Sequence, residues 1–105
     1  MASSYHAALG ERLRDLRKQR KEPLRIVAAA ISIDSTLLSK IERGERLPTE
    51  AQAGRFAEYF DVPADDLSAQ VIAEKIVAEY GDKATILQAI KIVRERISSY
   101  EDKSI

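Results

Sequence analysis

Apolar residues recur at intervals of three and four along the whole chain, and nowhere do Val, Ile and Thr alternate with polar residues at a period of two. An amphipathic helix repeats about every 3.6 residues and a half-buried strand every second one, so the pattern predicts an all-α protein. Six segments emerge. The first runs from about Tyr5 to Arg20 with Leu9, Leu13 and Leu16 as its stripe, and its other faces and last turn carry Arg12, Arg14, Arg17, Lys18, Arg20 and Lys21. Cations suit the negative end of a helix dipole. Pro23 suits the first position of a second helix, about Pro23–Ala30, whose Ala28, Ala29 and Ala30 allow close approach. Ile31-Ser32-Ile33 reads as a turn. Asp34 is a good N-cap for a third helix that reaches about Glu42 and stops at Gly44.

Helix, tight turn, capped helix is the arrangement by which one helix is laid in the DNA major groove. The motif spans about residues 24–43. Beyond it, Thr49 caps a fourth helix, about Glu50–Phe60, with Ala53, Phe56, Ala57 and Phe60 inward. Asp61-Val62-Pro63 breaks the chain, and a fifth helix follows from about Ala64 to Tyr80. Asp65 and Asp66 suit its positive end. Gly81 ends it, and Asp82 or Thr85 caps a sixth helix reaching about Ser99. In that last helix Ile86, Ile90, Val93, Ile97 and Tyr100 are spaced four, three, four, three, a heptad seam of two repeats. Two repeats are too short to hold a coiled coil alone. They suffice to add a dimer contact, or to pack on the fifth helix through Val71, Ile72, Ile76 and Val77.

Composition narrows the chemistry. At 105 residues and 45% hydrophobic, the chain is one compact domain or one domain plus a short extension, the second being 1–68 as the domain and 69–105 as the extension. It has no cysteine, which removes disulfides, thiol catalysis and thiolate metal sites. The single histidine, His6, reads as a surface residue, with Ser3, Ser4 and Tyr5 a candidate N-terminal arm. No phosphate-cradling glycine loop, metal-ligand cluster or nucleophile–base pair is visible, so neither an enzyme nor a cofactor or metal is expected. No apolar run approaches the roughly 18–20 residues of a membrane span, and no charged-then-apolar leader is present, so a cytoplasmic protein is expected. Net charge is zero, but it is unevenly spread. Residues 1–46 carry ten Lys/Arg against six Asp/Glu, and residues 47–105 carry seven against eleven. A basic half around the turn motif thus faces an acidic half.

Leu13-Arg14-Asp15-Leu16-Arg17, Ala28, the run Ser39-Lys40-Ile41-Glu42-Arg43-Gly44, and Asp61-Val62-Pro63-Ala64-Asp65-Asp66-Leu67 together resemble the Cro/repressor-type (Xre) helix-turn-helix family, over roughly Leu9 to Leu67. The resemblance implies a five-helix lambda-repressor-like DNA-binding domain followed by a C-terminal helical extension. It implies that Ser35, Thr36, Ser39 and Lys40 read base edges. Hydroxyls serve either base type and lysine donates to guanine. Leu37 lies near the same face, where it either meets a thymine methyl or packs into the core. Leu38 and Ile41 match buried positions. Arg43, Arg46 and the Gly44 amide match the segment that grips phosphate, which sets register and affinity rather than sequence choice. Arg17 and Glu42 match a pair tying the first helix to the reading helix, read here as a structural ion pair.

Two positions depart from the family pattern. Leu24 stands where glutamine is usual, which leaves the phosphate there to Arg25. Ser32 stands where the turn glycine is usual, and serine is disfavoured at positive φ. The expected function is a sequence-specific, double-stranded DNA-binding transcriptional regulator acting as a homodimer, of phage-repressor, restriction-modification controller or antitoxin type, with Ile86, Ile90, Val93 and Ile97 in the dimer contact. The alternative is a protein-interaction module. In it the helix-turn-helix is scaffold and a protein partner binds the C-terminal helices.

Overall fold

The computed structural model describes residues 7–81 and 83–103. Tyr5, His6 and the candidate arm lie outside the described residues, as does Asp82. Among the described residues six helices follow one another: α1 Ala7–Gln19, α2 Leu24–Ile31, α3 Ser35–Glu42, α4 Glu50–Phe60, α5 Ala64–Tyr80 and α6 Ile86–Lys103. There is no strand among the described residues.

The core collects one stripe from each of the first five helices. It contains Leu9 and Leu13, then Val27, Ala28 and Ile31, then Leu38 and Ile41, then Ala53, Phe56, Ala57 and Phe60, and finally Leu67 and Val71. Each large side chain taken out of water contributes about 1.5–3 kcal/mol before chain entropy is charged against it. Phe56 and Phe60 lie near-parallel at 6.3 Å between centroids, and Tyr59 meets Phe60 edge-on at 5.2 Å. α3 packs against α1 and α2, α2 against α4, α4 against α5, and α1 against α5. Ile31 is fully buried in α2 rather than part of the turn, because its side chain continues the Val27 row one turn on. Pro23 precedes α2 in extended conformation, at φ −72° and ψ 160°, instead of opening it. α5 runs unbroken across residues 68 and 69, and Val71 belongs to the core rather than to a seam with α6.

The first four helices end in the same way. Just past each end one residue has positive φ: Lys21 (56°), Ser32 (64°), Gly44 (76°) and Asp61 (56°). The following amide reaches back to the helix: Glu22 to the Arg17 carbonyl, Ile33 to Ala28, Glu45 to Lys40 and Val62 to Ala57. This is the Schellman arrangement, which satisfies carbonyls that a helix end would otherwise leave open. Only one of the four residues is glycine. Left-handed backbone costs an L-residue roughly 1–2 kcal/mol. After α2 and α4 an apolar residue follows the turn, Ile33 and Val62, and both pack against the core. That contact offsets the strain at Ser32 and Asp61. Arg55 adds a further cap, donating from Nε to the Ile31 carbonyl at 2.7 Å.

A glycine sets the distance between α1 and α3. A Cβ on Gly10 would stand 2.4 Å from the Glu42 carbonyl oxygen and 2.5 Å from that of Ile41. Both atoms are backbone and cannot move aside, so α1 lies this close to the end of α3 only because residue 10 has no side chain.

α6 takes no part in the principal helix contacts. Ile90, Val93, Ile97 and Tyr100 are each about half exposed or more, and Leu87 is 74% exposed. The seam is therefore not spent on α5, whose Ile72 and Val77 are also exposed. The helix opens after Thr85, whose carbonyl accepts from the Ala89 amide at 3.0 Å, and extends to Lys103 rather than stopping near Ser99.

Gly10→Ala is expected to destabilise the domain by about 1–3 kcal/mol through overpacking. Gly54→Ala, in α4 with nothing within 4 Å of the added methyl, should instead stabilise by about 0.5–1 kcal/mol. Chemical denaturation of both variants checks the pair; equal effects would remove the close approach as the reason for Gly10.

Candidate nucleic-acid interface

α3 is fixed at its start by Asp34, whose carboxylate accepts from the Leu37 amide at 2.7 Å. The aspartate suits this place because it satisfies an open amide and the positive end of the dipole together. Leu38 and Ile41 point into the core, and the rest of the helix turns outward: Ser35 and Thr36 are exposed, Ser39 and Lys40 half-buried. Leu37 is half-buried and packs against the core, with part of its surface left open.

The end of α3 is tied to α1. Arg17 donates from Nε to Glu42 Oε2 at 2.7 Å and from Nη2 to Oε1 at 2.9 Å, the two-pronged geometry that guanidinium and carboxylate share. Its Nη1 donates to the Glu22 carbonyl at 3.0 Å, so one side chain holds the α1–α2 turn as well. The pair is buried, with 13% of the Arg17 and 6% of the Glu42 side chain exposed. Hydrogen bonding to Glu42 raises the Arg17 guanidinium above its ordinary value, against the lowering effect of burial.

The segment after α3 is more occupied than its sequence suggests. Arg43 donates to the Ser39 hydroxyl, one turn back on α3, and to the Glu45 carboxylate. The hydrogen bond from Arg43 holds the Glu45 carboxyl below its ordinary value, helped by the charges of Arg43 and Lys40. Glu45 is thus an ionised neighbour of both cations. The Gly44 amide, expected at phosphate, is corrected: Gly44 is buried and its N–H donates to the Ile41 carbonyl at 3.0 Å. Closing the helix end uses the hydrogen that a phosphate would need. Arg25 and Arg46 are exposed. Arg17, Leu24, Ser39, Glu42 and Arg43 are brought together around one cleft between α1, α2 and α3, which Arg25 and Arg46 do not line.

Sequence reasoning passed over several residues here. Glu45 is a carboxylate inside a basic run, a signal visible in Arg43-Gly44-Glu45-Arg46 itself. Arg14 also lines the cleft; its place one turn before Arg17 puts both on one face of α1. Gly10 sits mid-helix, where glycine is unfavourable enough to call for a packing reason. Asp66, read as a dipole cap, also pairs with Arg12 at 2.8 Å, and Arg12 donates to Gln70 at 2.7 Å. These contacts tie α1 to α5.

A family model described as helix-turn-helix domain matches residues 8–70. The chain belongs to the helix-turn-helix domain family. No match was found among curated proteins or solved structures. The helix-turn-helix domain occupies α1 to the first part of α5, and membership supports DNA binding as the class of function. The geometry above suits it: a short helix fixed at both ends, apolar inward and polar outward. Among the described residues no helix is long and apolar enough to cross a membrane.

Glu42→Ala leaves the Arg17 charge buried without its partner and is expected to cost about 3–5 kcal/mol. Replacing both partners, Arg17→Met with Glu42→Leu, should cost much less than Arg17→Met alone and Glu42→Leu alone summed. Urea denaturation of the four proteins in the cycle measures the coupling; additive losses would mean that the pair does not act as a unit.

Proposed function

We propose that this helix-turn-helix protein is a dimeric, sequence-specific transcriptional regulator of Cro/repressor (Xre) type, with α1–α5 as a lambda-repressor-like reading domain. The carrying observation is the outward face of α3: Ser35, Thr36, Ser39 and Lys40 reach the surface while Leu38 and Ile41 anchor the helix. These four side chains would read base edges, with Leu37 at the margin against a thymine methyl. Arg25, Arg43 and Arg46 would hold phosphates. Arg43 would exchange Glu45 for a phosphate on binding.

α6 would supply the dimer contact. Ile90, Val93 and Ile97 are apolar and about half exposed in the single chain, with Ile86 half-buried beside them. Pairing with a second copy would remove this face from water. It would also join two weak half-site contacts into one useful affinity. The exposed seam equally favours a second reading, in which another protein seats on α6 and the helix-turn-helix serves as scaffold.

Selection of bound duplexes from a random library, over a range of salt, tests the proposal. An enriched pseudo-palindrome with half-sites about 34 Å apart is expected. Negligible binding even at low salt would leave the partner-protein reading. Lys40→Ala should weaken binding to the selected site by about 1–3 kcal/mol and affect random duplex much less, whereas Arg43→Ala should weaken both alike. Equal losses for Lys40→Ala would remove it as a base reader. Ile90→Asp combined with Ile97→Asp should give monomers in sedimentation at unchanged helix content; a surviving dimer would place the interface elsewhere.

A further inference from the structure

α5 is apolar on two opposite faces. Leu67 and Val71 are fully buried against the domain. Ile72, Ile76 and Tyr80 follow at intervals of four on the far side of the helix, and Ala69 and Ala73 widen that row. Ile72 and Tyr80 are each about half exposed. A helix that is apolar all round is normally covered all round, yet in the single chain this outer face stays open to water. α6 carries a second open face. Its Ile90, Val93 and Ile97 are also about half exposed, and α6 makes no principal contact with α5. The two helices come together at their junction, where Tyr80, Ile86 and Ala89 border a cavity of about 160 Å³. There the Gly81 amide donates to the Val77 carbonyl and the Lys83 amide to the Tyr80 carbonyl, each at 2.9 Å. The chain thus leaves α5 in hydrogen-bonded turns with both faces uncovered.

The charges on the two helices are opposite. α5 has Asp65, Asp66, Glu74 and Glu79 against Lys75. α6, as far as Tyr100, has Lys91, Arg94 and Arg96 against Glu95. Arg94 and Arg96 flank the seam on its two sides, and Asp65 and Glu79 lie along one edge of the outer row of α5. None of these four has an ion-pair partner among the described residues.

We infer that the outer face of α5 seats α6 of a second copy, the two copies exchanging α6 symmetrically. The inference rests on the proposed dimer and names the surface on which α6 lies. One twofold contact covers both open faces of both chains and sets basic α6 against acidic α5. Pairing α6 with α6 would leave the outer face of α5 in water and bring two helices of net positive charge together. The seat also bears on DNA. Leu67 and Val71 fix α5 to the domain, so a partner held on α5 fixes the separation of the two α3 helices. A contact made only beyond the junction would not.

Asp65→Lys with Glu79→Lys reverses the edge of the seat, and Arg94→Glu with Arg96→Glu reverses the flanks of the helix that enters it. Sedimentation equilibrium of the full chains at low salt, where charges are little screened, compares each variant, their equimolar mixture and the unaltered protein. Each variant alone meets like charge in both contacts, and its dimer dissociation constant should rise about tenfold or more. In the mixture each α5 meets an α6 of opposite sign, and the heterodimer should return to within about threefold of the unaltered dimer. Ile72→Lys, a change on the seat itself, should also give monomers. All five positions are exposed, and circular dichroism checks that each chain keeps its helix content. If Ile72→Lys and the altered α5 edge both leave the dimer intact, α6 pairs elsewhere; the seat is overturned and the dimer stands. Variants that remain monomers when mixed would overturn the exchange. An unaltered protein that is monomeric at every concentration would overturn the seat and the dimer together, and leave both faces to another protein.

Discussion

The buried ion pair between Arg17 and Glu42 decides where α3 can be. Glu42 is the last residue of α3, Arg17 lies near the end of α1, and the same guanidinium holds the carbonyl of the turn leading to α2. Three elements are therefore referred to one planar group. Such a pair adds little net stability over an apolar replacement, because two charges must first leave water. What it supplies is direction, since the fork accepts its carboxylate in one geometry. Gly10 complements it, letting the α1 backbone rest on the last carbonyls of α3. α3 is eight residues long, too short to persist alone. Its outward face is reproducible only because both ends are fixed by other parts of the chain.

The way the helices end follows the same logic. Four turns share one hydrogen-bond arrangement, and three do so with residues that resist left-handed backbone. Ile33 and Val62 hold two of those turns down by packing on the core. The absence of glycine at Ser32 is thus not a sign that the motif has lost its turn. The strained residue is kept in place by the apolar neighbour that follows it.

Electrostatics around α3 are more balanced than a basic half-chain implies. Arg17, Arg43 and Arg12 each have a carboxylate partner. Internal pairing of this kind lowers non-specific attraction to polyanions, because a phosphate must displace a carboxylate rather than a counterion alone. It makes the protein's zero net charge compatible with a DNA-facing surface. The apolar surface follows a different rule. Most of the exposed large apolar residues lie on α5 and α6, so the association and the DNA contact proposed above would use different helices.

Much of this was legible in the chain itself. The period of apolar residues marked all six helices and most of the core, because burial of one stripe per helix is a local demand written at three- and four-residue spacing. Asp34 and Thr49 marked helix starts, since a cap bonds an amide only three residues away. The motif run at 39–44 pointed to the helix-turn-helix. Other features depend on residues distant in sequence and had no local signature. Ile31 entered the core rather than the turn, the Gly44 amide closed its own helix, and Arg43 turned to Ser39 and Glu45. Gly10 mattered because residues 41 and 42 pass over it. α6 declined α5, leaving its seam open. Sequence determined which faces are apolar and where helices begin. Tertiary structure decided which polar groups are already satisfied, because a hydrogen bond or close approach depends on distance in space and not on spacing along the chain.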